Sequence, residues 1–212
     1  MGTSFEDIYE LNQSIMEDSR ISRLSPGLFY YQMDKYLKHP ISKFNKYCRQ
    51  DLTSYVASEF NFYEFASTGD NQFTLSPLPN ENSSFYSSVD DVESAGEYDS
   101  NTGIYTFSST PITGNVYIEA YYNGRFNVTL TDEEKDIISL GMTIPFIISN
   151  IQQSKALNQL VFGTNVGFYS QAQHNKTNKD ILESFKKQFK NEMIEYTYYN
   201  VDYENLVGDD SS

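Results

Sequence analysis

The sequence predicts an α+β protein: a mainly α-helical bundle of about four helices, an inserted antiparallel β subdomain and an extended C-terminal arm. Three observations carry that reading. Apolar residues recur at helical spacing toward both ends of the chain. The middle shifts to short runs of β-branched and aromatic residues. The segment after about Tyr196 is rich in tyrosine but holds no sustained period. These shifts place residues 1–54 and 125–195 in one discontinuous helical domain, 55–124 in an acidic β-rich insert with a long mobile loop at 77–101, and 196–212 in the arm.

At the start, Ser4 is an N-cap, and Phe5, Ile8, Leu11 and Ile15 follow at helical spacing, giving a first helix near 5–18. Ser25-Pro26 opens a second helix, with Pro in the first turn where its missing N–H costs nothing. Tyr30, Met33, Leu37, Ile41 and Phe44 form its apolar stripe, and Pro40 predicts a kink or a break after His39. FNFYEF (60–65) and QFTL (72–75) read as short strands. GIYTF (103–107), NVYIEAYY (115–122) and RFNVTL (125–130) read as stronger ones. Asn123-Gly124 between the last two predicts a hairpin, because a type I′ turn needs positive φ at both central residues. Residues 77–101, rich in Ser, Asn and acid, carry the loop signal. Helical spacing returns with a capping box, Thr131 and Glu134. Ile137, Leu140, Ile144, Ile148 and Ile151 then continue one stripe past Pro145. After a turn around Gly163 and Gly167, Ile181, Phe185, Phe189 and Met193 recur every four residues, opposite Lys179, Lys186, Lys187 and Lys190. The expected helical core is Ile8, Leu11, Leu37, Ile41, Phe44, Ile137, Leu140, Ile144, Phe185 and Phe189.

Charge divides the chain as sharply as periodicity does. The net charge is −14, yet residues 50–124 hold 11 acids and no Lys or Arg, while the rest holds 18 acids against 15 bases. A second basic-free stretch, Asn191 to Ser212, carries six acids. Such a block is either a solvated face, a surface that must not adhere to a polyanion, or one that docks a basic partner. The balance counts against a protein that holds nucleic acid by its phosphates. Tyr (18) and Phe (15) are abundant, which suits wet interfaces. The single Cys48 excludes an intrachain disulfide and a Cys-based zinc site. No apolar run approaches a membrane span. The N-terminal MGTSFEDIYELNQS lacks the basic-then-apolar order of a signal peptide, so the chain reads as unsecreted.

The chemistry of catalysis is poorly represented. His39 and His174 lie in unrelated segments, read as helix-end and turn residues, and Cys48 reads as a small apolar residue. There is no Gly-rich phosphate loop, no G-x-S-x-G and no H-E-x-x-H. DSNTG (99–103) starts like a calcium loop, but its glycine comes one place early and no Glu closes it. The pattern points to a structural or binding protein without cofactor, not to an enzyme.

Taken in order, several elements resemble the head–tail adaptor (connector) proteins of tailed bacteriophages. FEDIYELNQSIMEDSRI and FYYQMDKYLKHPISKF resemble the family's first two helices. GRFNVTLTDEEKDIISLGMTIPFI resembles its strand, Leu-Thr-x-x-Glu cap and long apolar helix. VGFYSQAQHNKTNKDILESF resembles the turn into its next helix, and NEMIEYTYYN its tyrosine-rich exit into a C-terminal arm. The resemblance covers the helical ends; Pro40 and the insert at about 55–120 depart from it. It implies a virion protein of the neck, made in the host cytoplasm: a ring, commonly twelvefold, below the portal, with a stopper or tail protein beneath. Genomic DNA would pass through the lumen without sequence-specific binding. It also implies that the arm docks on the portal, through Tyr196, Tyr198, Tyr199, Tyr203 and Leu206. The alternatives are a stopper or tail-completion protein of the same neck, or a β-rich recognition module for a host glycan or protein carried on an oligomerising helical scaffold.

Overall fold

The computed structural model describes residues 2–13, 24–108, 112–161 and 168–200. Among these residues, four helices and three antiparallel sheets make an α+β fold. Helix α1 (Phe5–Gln13) begins where the Ser4 hydroxyl accepts the Glu6 N–H at 3.2 Å. Helix α2 (Pro26–Phe44) begins at Ser25, whose carbonyl accepts the Phe29 N–H. Nine strands follow: β1 (Tyr55–Val56), β2 (Glu59–Thr68), β3 (Gln72–Thr74), β4 (Ser84–Val89), β5 (Val92–Glu93), β6 (Gly96–Asp99), β7 (Ile104–Phe107), β8 (Thr113–Tyr122) and β9 (Arg125–Phe126). Helices α3 (Asp132–Val161) and α4 (Phe168–Asn200) come last among the described residues. The turn expected around Gly163 and Gly167 lies outside the described residues, as does the end of the first predicted helix. No helix among the described residues is long and apolar enough to cross a membrane.

The chain divides into two compact units, and the division falls inside α1 and α2. One comprises Met1–Glu6, Glu17–Lys35 and Tyr55–Asn127; the other comprises Asp7–Met16, Tyr36–Ser54 and Val128–Ser212. The expected insert 55–124 is therefore too narrow. The first turns of α2 belong with the sheets because Tyr30 stacks on Tyr121 (5.3 Å) and Tyr31 on Phe60 (5.5 Å).

In the β unit, a four-stranded sheet in the order β2-β8-β4-β5 shares one core with a three-stranded sheet, β3-β7-β6. Alternation along each strand sends Tyr63, Val116, Ile118 and Ala120 from the larger sheet, and Phe73, Tyr105 and Phe107 from the smaller, into that core. About half of the expected loop 77–101 is strand. Its serines misled the reading: Ser87 and Ser88 are buried, and the Ser87 hydroxyl satisfies itself on Ser94 O and Tyr105 Oη. Within it, Asp90 (φ 47°) and Asp91 (φ 65°) form the two-residue hairpin turn between Val89 and its partner Val92. Asp90 is locked there: its carboxylate accepts the Asn115 N–H at 2.9 Å, and its own N–H donates to Asn115 O.

Asn123-Gly124 is not a hairpin tip. β8 pairs with β2 and β4, whereas β9 is only two residues long and pairs with β1. Gly124 is needed for close approach instead: a Cβ there would lie 2.5 Å from both the Phe5 ring and Val56 O. Its carbonyl accepts the Phe5 N–H, so the glycine seats the start of α1 on β9.

In the helical unit, α3 packs along α4, and the core gathers Ile8, Tyr9, Leu37, Ile41, Phe44, Leu52, Ile137, Ile138, Met142, Ile144, Phe189 and Met193. Helix α2 does not break at Pro40. The proline is buried against Gly141, where any Cβ would come within 2.6 Å of it, and that contact outweighs the one lost helical bond. Helix α3 likewise continues past Pro145. Of the expected core residues Leu11 faces water, and Leu140 and Phe185 are half-buried. Leu11 is exposed while Asn12 is buried, its amide donating to Ser139 O and accepting from the Thr143 hydroxyl at 3.3 Å. Ile181 is exposed and Phe185 half-buried, because a strict four-residue repeat drifts by about 40° each step around a 3.6-residue helix. Burial instead follows Phe189, Met193 and Tyr196.

These turns make opposite predictions. Gly124→Ala should lower stability by about 1–3 kcal/mol through overpacking. Asp91→Gly should raise it by up to about 1 kcal/mol by removing left-handed strain. Urea midpoints of the three proteins check both signs; equal midpoints would mean that neither site has this geometry.

Candidate functional site

The residues expected to form a docking arm do not share one environment. Tyr196 is 2% exposed and belongs to the core: α4 runs on to Asn200, so 196–200 are helix, not arm. The Tyr196 ring packs edge-on against Phe44 at 5.1 Å, and its hydroxyl donates to Glu134 Oε1 at 2.6 Å. The same tyrosine oxygen accepts the Arg49 N–H, and burial raises its pKa. Tyr198 and Tyr199, at 66% and 83% exposure, do project from the last turn. Tyr203 and Leu206 lie outside the described residues.

The histidines and the cysteine stay apart from one another. His39 is half-buried against the Phe189 ring, and burial first, then Lys43 and Lys186, lower its pKa. The His174 side chain lies outside the described residues. Cys48 donates to Glu134 Oε1 at 3.3 Å, and burial pushes its thiol up to about 12, so it stays protonated. Asp99 is spent on its own turn, accepting from Asn101 N–H and the Thr102 hydroxyl. Among the described residues no group of three or more His, Cys, Asp or Glu is placed to hold a metal ion.

A site that sequence reasoning missed lies on the outward face of the four-stranded sheet. Alternation that turns Val116, Ile118 and Ala120 inward turns Tyr117, Glu119 and Tyr121 outward. Glu119 sits at the centre, opposite Phe62 on β2 and Tyr86 on β4. The Phe62 and Tyr117 rings stack at 5.8 Å. Leu24, Ser25, Pro26 and Leu28 at the start of α2 form the other wall, and Asp91 and Glu93 of the β4–β5 hairpin form the rim of a groove of about 600 Å³. Gly27 makes the approach possible, since a Cβ would meet the Phe60 ring at 2.6 Å and Glu119 Oε2 at 2.8 Å.

Glu119 is only 5% exposed. Its Oε1 accepts the Ser25 hydroxyl, but Oε2 has no hydrogen-bond partner. The nearby Gly27 amide and the N-terminus of α2, with its partial positive charge, favour the ionised form. These only partly offset desolvation, which raises the Glu119 pKa. Half-exposed aromatic faces around a buried carboxylate suit a cation, an ammonium or a guanidinium, over a neutral or anionic group. Its signals in the sequence are weak: an acid between two tyrosines on a strand reads as a solvated position, and only the glycine after Ser25-Pro26 marks a close approach.

No protein-family model and no curated protein matches the sequence. The site therefore rests on its own geometry.

Two predictions follow from the two buried carboxylates. Tyr196→Phe removes a buried hydrogen bond to a charged group and should cost about 1.5–3 kcal/mol. Tyr199→Ala, at an exposed position, should stay within about 0.5 kcal/mol. Chemical denaturation measures both, and a reversed order would return Tyr196 to an arm. At Glu119 the folded pKa lies above the ordinary 4.5, so the native state binds the extra proton and stability falls as pH rises above that value. Glu119→Gln should therefore melt higher than the parent at pH 7, with the gap closing below pH 4.5. A parent that melts higher at pH 7 contradicts this account.

Proposed function

We propose that the protein is a noncatalytic structural component of the phage neck, a head–tail adaptor that assembles as a ring beneath the portal and surrounds the passing genome. The observation that carries this reading is the end of α4. Tyr198 and Tyr199 stand exposed on its last turn, directly before the basic-free segment 201–212 with Tyr203 and Leu206. Aromatic rings left in water at a helix exit gain free energy by docking on another chain, where such anchors dominate the contact. The resemblance of the helical segments makes that chain the portal. The acidic block fits a lumen that DNA slides past, since few phosphate contacts would have to break.

A second reading, a β-rich recognition module, is favoured by the groove around Glu119 on the β unit, whose aromatic and acidic lining suits a ligand. The two are separated by binding the full chain to portal-bearing heads. The parent should bind, and a Tyr198→Ala/Tyr199→Ala variant with unchanged melting should bind at least about tenfold more weakly. Heads that ignore the parent altogether would overturn the neck assignment. Equal binding of parent and variant would remove the helix exit as its docking element.

A further inference from the structure

We infer that the groove around Glu119 receives lysine side chains from the α4 helix of a second copy of this chain. The inference deepens the ring reading and rests on it. The receiving side centres on Glu119, a buried carboxylate in the groove lining whose Oε2 has no hydrogen-bond partner. Around that point stand the Phe62 and Tyr117 rings and the rim acids Asp91 and Glu93, in a stretch of 75 residues that contains no base of its own. A lysine suits this shape: its four-carbon stem can lie along the rings while the ammonium stands between the rim acids and the buried Glu119 carboxylate.

The chain carries the complementary surface. On α4, Lys176, Lys179, Lys186, Lys187 and Lys190 fall within a sector of about 100° at 100° per residue, and all five are exposed. Glu183 in that sector is engaged by Lys186 at 2.8 Å. Phe189, Met193 and Tyr196 occupy a different sector and are buried, so the basic stripe is not the face that packs in the core. Groove and stripe are different patches, so a contact between copies is head-to-tail, the kind that propagates and closes into a ring when the rotation allows.

The test is sedimentation velocity of the full-length protein across concentration and salt. The parent should self-associate at low salt and dissociate as salt screens the contact. Glu119→Gln should weaken association at least tenfold while its melting temperature rises, a split that a merely structural role would not produce. Glu93→Lys, and Lys187→Glu with Lys190→Glu, should each weaken self-association, and a mixture of those two variants should associate again. Assembly that is unchanged in Glu119→Gln and in the lysine variant overturns this inference and leaves the ring reading standing. A parent that stays monomeric at every concentration and salt also overturns it, and the ring reading then stands or falls on the portal-bearing heads. An oligosaccharide that shifts the Tyr117 and Phe62 resonances, with association indifferent to Glu119, overturns it in favour of recognition.

Discussion

The helical unit hangs on one carboxylate. Glu134 is 2% exposed, yet each of its oxygens has a donor. Oε2 accepts the Thr131 N–H at 2.8 Å, closing the capping box of α3, and Oε1 accepts Tyr196 Oη and Cys48 Sγ. Three distant stretches therefore meet at one charge: the first turn of α3, the last turns of α4 and the segment after α2. The helix N-terminus supplies a favourable field for that charge. Arg49 extends the knot, its N–H reaching Tyr196 Oη and its guanidinium the Asn200 carbonyl. Removing one partner of such a buried network costs more than the bond itself is worth, because the remaining groups lose their only solvation. This is why α4 continues in register to Asn200, and why Tyr196 belongs to the core.

Glu119 sets the contrast. It is the same side chain at nearly the same burial, also beside a helix N-terminus, but one oxygen is left open. Glu134 stabilises its unit, whereas Glu119 in its ionised form costs its unit stability. A buried carboxylate at the wall of a groove differs from one sealed in a core, since an incoming cation can offset its charge. The stability lost in the free protein then becomes selectivity for a cation over a neutral ligand.

Much of the fold was legible because local chemistry decided it. The Thr131–Glu134 box, the Ser4 and Ser25 helix starts and the alternation of 115–122 are short-range signals that tertiary packing does not oppose. The misreadings occur where packing wins. Pro40 reads as a breaker until Gly141 seats it, and Leu11 reads as core until Ser139 and Thr143 are found waiting for Asn12. Asn123-Gly124 outranked Asp90-Asp91 as a turn because the common pair needs no help, whereas the two aspartates hold positive φ with the aid of Asn115. Glu119 could not be read at all, because its meaning comes from α2, far away in sequence.

The acidic block, finally, is not a uniform cloud of charge. Asp90 bonds the Asn115 amide, Asp99 folds the turn before β7, and Asp51 accepts both the amide and the hydroxyl of Thr53. Those contacts hold the Asp51 and Asp99 carboxyls below the ordinary range, so both stay ionised through mildly acid conditions while serving the backbone. Their charge is a by-product of turn formation. Asp91, Glu93 and Glu119 form a separate set, gathered on one groove from a hairpin and a central strand. Turn-forming acids would tolerate nearby lysines without consequence, so turn chemistry alone does not account for a stretch of 75 residues free of any base. The proposed lysine contact accounts for the base-free face that lines the groove, because a lysine of its own there would fill the groove first.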